Sequence, residues 1–572
     1  MMMELLLDDI KEYIEDAGYK VKSISESSEK SLGNLLIETK IKVDSEIHIV
    51  KLICCFPIGF PYRFPYIYLK KNKKTDLINN PIPHIDDNNL ICTYSRLKTY
   101  PNHKKPKQVT IKCIQKAIKI IKEGLKETNS EDFREEFGAY WSQKNKEIFY
   151  GLFNNYDKPK QFFYIKIGKK FFICDSANKD NLKEWLSINN NYTYNNLDDH
   201  FKNALFLPLK TFHLPPFPKS NFEIYRYIKN TKYDKTFRKY LSSNLSLPLV
   251  VFSQNIQNKI YFGGWLHRPL KSVNGARKGH TIPQIVMLGS QKDDKIIRFN
   301  IDLLTKDRLF YRGGDNMGDV NYEITLVGCG SIGGYLLESL IKLGLKKFNL
   351  NDNEKLKSEN IARHVCGANY LEKYKVESLR KKFLKHSLYL EMTTNTENVY
   401  SLLEKDLSIF NKSDFIFIAT GDRNVEMKFN DLYINNKLKS SLIIFWVEPF
   451  CVAGHAFILQ KNDENNFYKL FNKKRLFKYR VINNSDEFLQ REAGCQSTFI
   501  PYSAFEVQKF ITAFVDYFNK NFIRNEYPPN SNILFSWGGN LSYARKQSDI
   551  KLNKRWLSKD NNTRKILKVQ NL

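Results

Sequence analysis

Apolar residues change their spacing several times along the chain, and each change predicts a different architecture. Leu5, Ile10, Tyr13 and Ile14 recur at helical spacing and predict an amphipathic opening helix. Strand-like runs follow at 34–43, 47–56 and 66–69, the pattern of an antiparallel meander. A proline-rich turn, Phe56-Pro57-Ile58-Gly59-Phe60-Pro61-Tyr62-Arg63-Phe64-Pro65, separates the last two, and 81–106 reads as irregular. Ile111, Ile114, Ile118 and Ile121 predict a helix over 110–125. Another is expected over 130–141, with Ser130 as its N-cap. From about 146 to 305 the chain is aromatic-rich, with strand candidates at 161–167, 170–174, 247–253 and 259–263 and a proline loop at 214–218. No catalytic constellation stands out there, so this part reads as a linker or scaffold. From about 306 onward short apolar runs alternate with helical patterns, the mark of a doubly wound α/β sheet. The last twenty residues are polar and basic and are expected to form a loose tail. The expected fold class is therefore a multidomain mixture of α+β and α/β, divided at 1–145, 146–305 and 306–572.

Composition narrows the function classes. Of 572 residues 42% are hydrophobic and 14% aromatic, enough for several cores, which excludes a disordered chain, a collagen-like repeat or a short disulfide scaffold. The net charge of +29 invites a nucleic-acid or anionic-surface partner. Lysine and asparagine are nevertheless spread through every segment, no block carries the excess, and no nucleic-acid module is recognisable. Acidic Glu4, Asp8 and Asp9 do not suit a signal peptide. The most apolar stretch, 442–459, is broken by Glu448, Pro449 and His455 and reads as core rather than membrane span. Nine scattered cysteines without a CxxC pair fit reduced thiols in the cytoplasm and disfavour a four-cysteine zinc site. Membrane and nucleic-acid partners are not expected.

The candidate chemistry begins at 323–327, an apolar run leading into Gly328-Cys329-Gly330-Ser331-Ile332-Gly333-Gly334 and then a helix over 335–343. Gly328, Gly330 and Gly333 have GxGxxG spacing, which permits a tight turn and brings backbone N–H groups and a helix N-terminus against phosphate. Taken alone the pattern indicates a dinucleotide-binding fold. The next strand candidate, 347–350, leads to Asp352, where an acid meets ribose hydroxyls.

The stretch Asn351-Asp352-Asn353-Glu354-Lys355-Leu356-Lys357-Ser358-Glu359-Asn360-Ile361-Ala362-Arg363-His364 resembles the signature of the ThiF and ubiquitin-activating superfamily, whose members adenylate a protein's C-terminal carboxylate. The resemblance implies ATP and Mg²⁺. It makes Arg363 and Lys375 the cations over the phosphates, Asp422 in Thr420-Gly421-Asp422-Arg423-Asn424 the magnesium ligand, and Asp352 the ribose contact. Asn360 is then a phosphate contact or a brace for the loop. Glu354 stands where family members often carry a second aspartate. Arg491-Glu492-Ala493-Gly494-Cys495-Gln496-Ser497-Thr498, before a helix starting near Pro501, resembles the crossover-loop cysteine of activating enzymes that form a thioester. A thiol in a polar, glycine-flanked loop near a helix N-terminus is placed for thiolate formation, whereas Cys329, Cys366 and Cys451 read as small core residues.

The first part is similar to the ubiquitin-conjugating fold in the order of its helix, meander and 56–65 turn, followed by Pro83-His84-Ile85-Asp86-Asp87-Asn88-Asn89-Leu90-Ile91-Cys92. That resemblance makes Cys92 the acyl-carrying thiol. His84, eight residues before it, takes the place of the family's asparagine, either donating a hydrogen bond to the oxyanion or shaping the loop, and Asn88-Asn89 replaces a glycine turn. Cys54, Cys55 and Cys113 lie on apolar faces. A conjugating-like part, a linker and a ThiF-like part in one chain resemble the fused ubiquitin-transfer enzymes of bacterial antiphage operons, those of type II CBASS in particular. This implies a homodimer that attaches the C-terminus of a CD-NTase, a cGAS-like nucleotidyltransferase, or of a ubiquitin-like protein to target lysines. Two other classes compete. A sulfur-carrier adenylyltransferase needs the ATP site but not Cys92, and a basic nucleic-acid-binding protein shows salt-dependent DNA affinity.

Overall fold

The computed structural model describes residues 2–569 except 25–30, 71–81, 87, 95–98, 127, 129–131, 133–136, 143–146, 191–193, 210–216, 257–258, 272–285, 311–320, 465, 492–497 and 527–528. Two compact units result, one of Met1–Lys179 with Asp199–Leu303, the other of Asp180–Asp198 with Leu304–Leu572.

In the first unit β1 (Lys20–Ile24), β2 (Ser31–Val43), β3 (Glu46–Pro57), β4 (Tyr66–Leu69) and β5 (Leu90–Ile91) pair antiparallel in chain order. β1 escaped the pattern reading because only Val21 of its five residues is buried. Leu35, Ile37 and Ile41 of β2 and Leu52, Cys54 and Phe56 of β3 share one core with Ile10 and Ile14 of the opening helix. Ile111, Ile114 and Ile121 of helix Pro106–Leu125 complete it. That helix starts earlier than its apolar stripe, at Pro106, whose preset φ and missing N–H suit a first turn. Ser130 lies outside the described residues; the later helical segment spans Phe137–Trp141.

A second sheet in this unit runs β12-β11-β10-β9-β7-β8-β6-β13. Its strands are β6 (Ile148–Leu152), β7 (Lys160–Ile167), β8 (Lys170–Cys174), β9 (Lys202–Pro208), β10 (Leu249–Ile256), β11 (Lys259–Leu266), β12 (Ile297–Asn300) and β13 (Asp302–Leu303). Trp141 packs edge-on against Phe252, 4.9 Å between centroids, and its indole N–H donates to the Gly264 carbonyl. Behind this sheet His267 is fully buried. Its Nε2 accepts from Trp265 Nε1 at 2.9 Å, so its proton sits on Nδ1, 2.8 Å from Asn221 Oδ1. Burial lowers its pKa to about 3.

Between pH 6.5 and 3 the unfolded chain therefore protonates this residue while the native state does not, so stability falls as pH falls through that window. The expected loss approaches ~1.4 kcal/mol per pH unit from this group. Denaturant titrations at pH 7 and 5 should show it, and His267→Gln should flatten the dependence of the first unit.

The main sheet of the second unit is ordered β16-β15-β14-β17-β18-β19-β22-β23. Its strands are β14 (Glu323–Val327), β15 (Lys347–Asn351), β16 (Glu391–Asn395), β17 (Phe415–Ile418), β18 (Ser441–Val447), β19 (Ala453–Leu459), β22 (Ile533–Gly538) and β23 (Thr563–Lys568). A two-stranded ribbon, β20 (Gln490–Arg491) and β21 (Thr498–Phe499), stands apart. Strands β14 to β18 are parallel, as a doubly wound sheet requires, and the last three neighbours pair antiparallel. Each face has its own core. Phe415 and Phe417 of β17 join helices Ser331–Lys342 and Ala504–Phe518, while Ile416 and Ile418 face Phe429 of helix Arg423–Ile434.

The apolar stretch at 442–459 is β18 and β19, a buried hairpin. Its charged interruption is satisfied internally. Glu448 accepts from the amides of Val481 and Ile482 at 2.7 Å and pairs with His455 at 2.8 Å. No helix among the described residues is long and apolar enough to cross a membrane. The expected loose tail is corrected, since β23 pairs along its whole length with β22. A charged composition suits an edge strand as well as a tail, because its outward face stays in water.

Candidate active site

The order β16-β15-β14-β17-β18 reverses direction at β14, and a crevice opens at the carboxyl ends of the strands there. A cavity of about 220 Å³ fills it, walled by Gly328 and Gly330 after β14, Asp352 after β15, Lys375, and Thr420 and Asp422 after β17.

The glycines act differently. Gly328 has φ 88°, and a Cβ there would lie 2.7 Å from the backbone of Ala419 and Thr420. A Cβ on Gly333 would meet the Gly328 carbonyl at 2.0 Å. Gly330, the N-cap of helix Ser331–Lys342, has nothing within 4 Å of that position, so the space before the helix N-terminus is open. The helix begins at Ser331, not 335, because glycines at 333 and 334 lie inside its first turn.

Asp352 braces this loop. Its Oδ2 accepts from the Cys329 amide at 2.7 Å and its Oδ1 from the Glu354 amide at 2.8 Å. Burial raises its pKa, and Lys375 works against that rise. Lys375 opens helix Lys375–His386 and is buried, with its ammonium on the exposed Glu354 carboxylate. Glu354 therefore serves as counter-ion to the cleft's lysine. Asp422 caps helix Arg423–Ile434 through Oδ1, which accepts from Asn424 N at 2.8 Å, so the cap leaves Oδ2 unengaged. One turn on, Glu426 is buried beside Arg423 at 2.7 Å, and desolvation pushes its pKa up to about 7.

The structure brings Gly328, Gly330, Asp352, Lys375 and Asp422 to one cavity. Gly333, Asn360 and Arg363 do not line it. Asn360 Oδ1 accepts from the Lys357 amide at 3.0 Å and so braces its own turn, and the Arg363 guanidinium lies 5.1 Å from the Tyr502 ring centroid. Sequence reasoning missed Asn398, Val399 and Tyr400, which supply a wall from the turn after β16. The signal for them was slight, an asparagine that caps helix Val399–Lys405. It also missed His364, whose buried ring joins the Arg363 segment to the glycine loop, with Nε2 donating to the Cys329 carbonyl and Nδ1 accepting from Cys366 N.

In the first unit Cys92 is exposed immediately after β5. Its amide donates to the His84 carbonyl at 2.8 Å, which sets the two residues side by side. Asn89, at φ 62°, makes the turn in place of a glycine, and Asp86 Oδ1 accepts from Asn88 N and Leu90 N. Cys54, Cys113, Cys329, Cys366 and Cys451 are buried, and burial raises every one of these thiols, Cys113 and Cys366 to about 12. Cys55 is only half-buried. Cys495 lies outside the described residues; Gln490 and Arg491 pair with Phe499 and Thr498 as β20 and β21.

Residues 320–515 match the model of the ThiF family, and residues 20–150 that of prokaryotic E2 family B. The ATP-dependent ubiquitin transferase-like protein Cap2 of Pseudomonas aeruginosa is 25% identical over 186 residues, 32% of this chain and 33% of the relative. Its namesake in Escherichia coli is 29% identical over 187 residues, 30% and 31% of the two chains. The matched segment thus spans about a third of these curated relatives. Among solved structures, E. coli MccB with ATP is 14% identical, with a TM-score of 0.28 over 41% of this chain and 63% of that one. The stretch that matches the ThiF model thus holds the glycine loop and the parallel strands β14 to β18, and the stretch that matches prokaryotic E2 family B holds the antiparallel strands β1 to β5 and Cys92.

Proposed function

We propose that this chain is an ATP-dependent protein-conjugating enzyme that works in the cytoplasm as a homodimer. One observation carries the reading: a nucleotide cleft with Asp352, Lys375 and Asp422 and an exposed thiol beside His84 occur on separate units of one polypeptide. The carboxylate of a protein C-terminus attacks the α-phosphorus of ATP, and pyrophosphate leaves. The N-terminus of helix Ser331–Lys342 at the glycine loop and Lys375 answer the charge that develops. Phosphate would replace Glu354 as the counter-ion of the buried Lys375, and the exposed Glu354 carboxylate would return to water.

A magnesium ion fits the donor set, since a hard cation that keeps phosphate and water oxygens needs one or two carboxylates, and Asp422 offers Oδ2. Held there, it would neutralise the phosphates. The Cys495 thiolate then attacks the acyl carbon and AMP departs. The Cys92 thiolate takes the acyl group in turn, and a lysine amine finally forms the amide and frees the Cys92 thiol. The acyl donor is the C-terminus of a CD-NTase or of a ubiquitin-like protein, the setting antiphage defence; the similarity to relatives named ATP-dependent ubiquitin transferase-like supports the conjugating chemistry.

The relay has a direct test. With ATP and candidate C-terminal proteins, Cys495→Ala should keep ATP–pyrophosphate exchange and lose every later adduct. Cys92→Ala should accumulate a reducing-agent-sensitive adduct on Cys495. Stable conjugates from the Cys92→Ala enzyme would contradict the order, and adenylation with no thiol adduct at either site would favour sulfur-carrier chemistry.

A further inference from the structure

His84 has φ 64°, a left-handed conformation that a non-glycine residue keeps only where its surroundings hold it. Three contacts meet on it. Its backbone N–H donates to the Tyr140 hydroxyl oxygen at 2.5 Å. Its carbonyl accepts from the Cys92 amide at 2.8 Å. Its ring Nε2 stands 3.2 Å from Asp132 Oδ2, with both side chains about one-third exposed. Tyr140 and Asp132 come from the segment beyond helix Pro106–Leu125, 56 and 48 residues from His84. Two of these contacts come from outside the loop, next to the one described cysteine that is exposed.

We propose that Asp132 and Tyr140 are positioning residues for transfer from Cys92. Tyr140 holds the His84 backbone in its left-handed turn. Asp132 accepts from Nε2–H and so holds that proton and the orientation of the imidazole; in the ring that carries both protons, Nδ1–H is left to donate to the acyl oxygen. Both act through His84. The inference rests on the conjugating reading for the identity of the step, but the clamp on the ring is a separate claim and can fail separately.

The test uses the full chain and a glycine-terminated peptide α-thioester of mercaptoethanesulfonate. The Cys92 thiolate attacks the thioester carbonyl and the small thiol leaves; peptide mass spectrometry locates the adduct. Free lysine then attacks, forming the peptide amide and returning the Cys92 thiol. Asp132→Asn and Tyr140→Phe should each slow this discharge about tenfold, the scale of one hydrogen bond, with loading unchanged. In a His84→Asn background Asp132→Asn should not slow it further, because an amide does not depend on Asp132 to hold a ring proton, whereas Tyr140→Phe should still slow it, because the backbone N–H that Tyr140 holds remains.

Equal losses from Asp132→Asn in both backgrounds, or wild-type discharge by either single variant, would overturn the proposal. If wild-type Cys92 does not load, the conjugating reading fails instead. ¹⁵N shifts of labelled His84, assigned by their loss in His84→Asn, still judge the clamp: Nε2–H in the native chain and a redistributed tautomer in Asp132→Asn support it, and an unchanged pattern refutes it.

Discussion

Asp422→Asn should lower ATP–pyrophosphate exchange by about a hundredfold or more while the protein stays folded. The choice of asparagine follows from the helix. Asp422 caps Arg423–Ile434, and alanine there forfeits ~1 kcal/mol of cap energy along with the carboxylate. Asparagine caps as well as aspartate, so it removes the charge and keeps the backbone. Two measurements isolate the metal role. Calorimetry should show that the wild type binds ATP more tightly with magnesium than with chelator, and that Asp422→Asn loses this difference. Exchange near the wild-type rate, with the acyl donor's C-terminus supplied, would refute the assignment. Asp422→Ala should show the same kinetic loss with a lower melting temperature, because its effect adds the missing cap.

His84→Ala is expected to slow discharge of a preloaded Cys92 thioester about a hundredfold and to reduce loading less. A tetrahedral intermediate puts charge on the acyl oxygen, and removing a donor aimed at such an oxyanion costs roughly 3 kcal/mol elsewhere. The Cys92 amide already donates to the His84 carbonyl, so the two backbones are locked together. His84→Asn should restore much of the rate for two reasons. Its amide donates, and asparagine tolerates the left-handed φ of 64° better than most residues, alanine included. Single-turnover discharge decides the matter: an alanine variant that discharges at the wild-type rate ends the oxyanion role. Parallel losses of stability and rate in both variants would reduce His84 to a packing residue.

Arg363 shows how far a signature can be read. As a sequence it belongs with Lys375; in the fold it lies on Tyr502, 5.1 Å from the ring centroid, away from the cavity wall that Lys375 helps to form. Glu354 shows the converse, a substitution in the pattern that the fold turns into the partner of Lys375.

Local backbone demands were legible from residue order alone. A glycine that must accept φ 88°, or must lie against a neighbouring carbonyl, leaves its mark within a few positions, so the loop at 328–333 could be placed before any coordinates. The alternation in β2 and β3 and the helical stripe of 111–121 were equally plain, since each element writes its buried face into its own period. Cys92 and His84 could be paired because a short strand and turn separate them. Contacts between distant segments left no such mark. The wall at Asn398 to Tyr400, the His364 bridge to Cys329 and the hold of Asp132 and Tyr140 on His84 join residues 20 to 70 positions apart. Their meeting depends on strand order and helix packing, which no local period encodes. The edge strand β23 was missed for a related reason: half of its surroundings are solvent, so its polar residues resemble a tail until the pairing with β22 is seen.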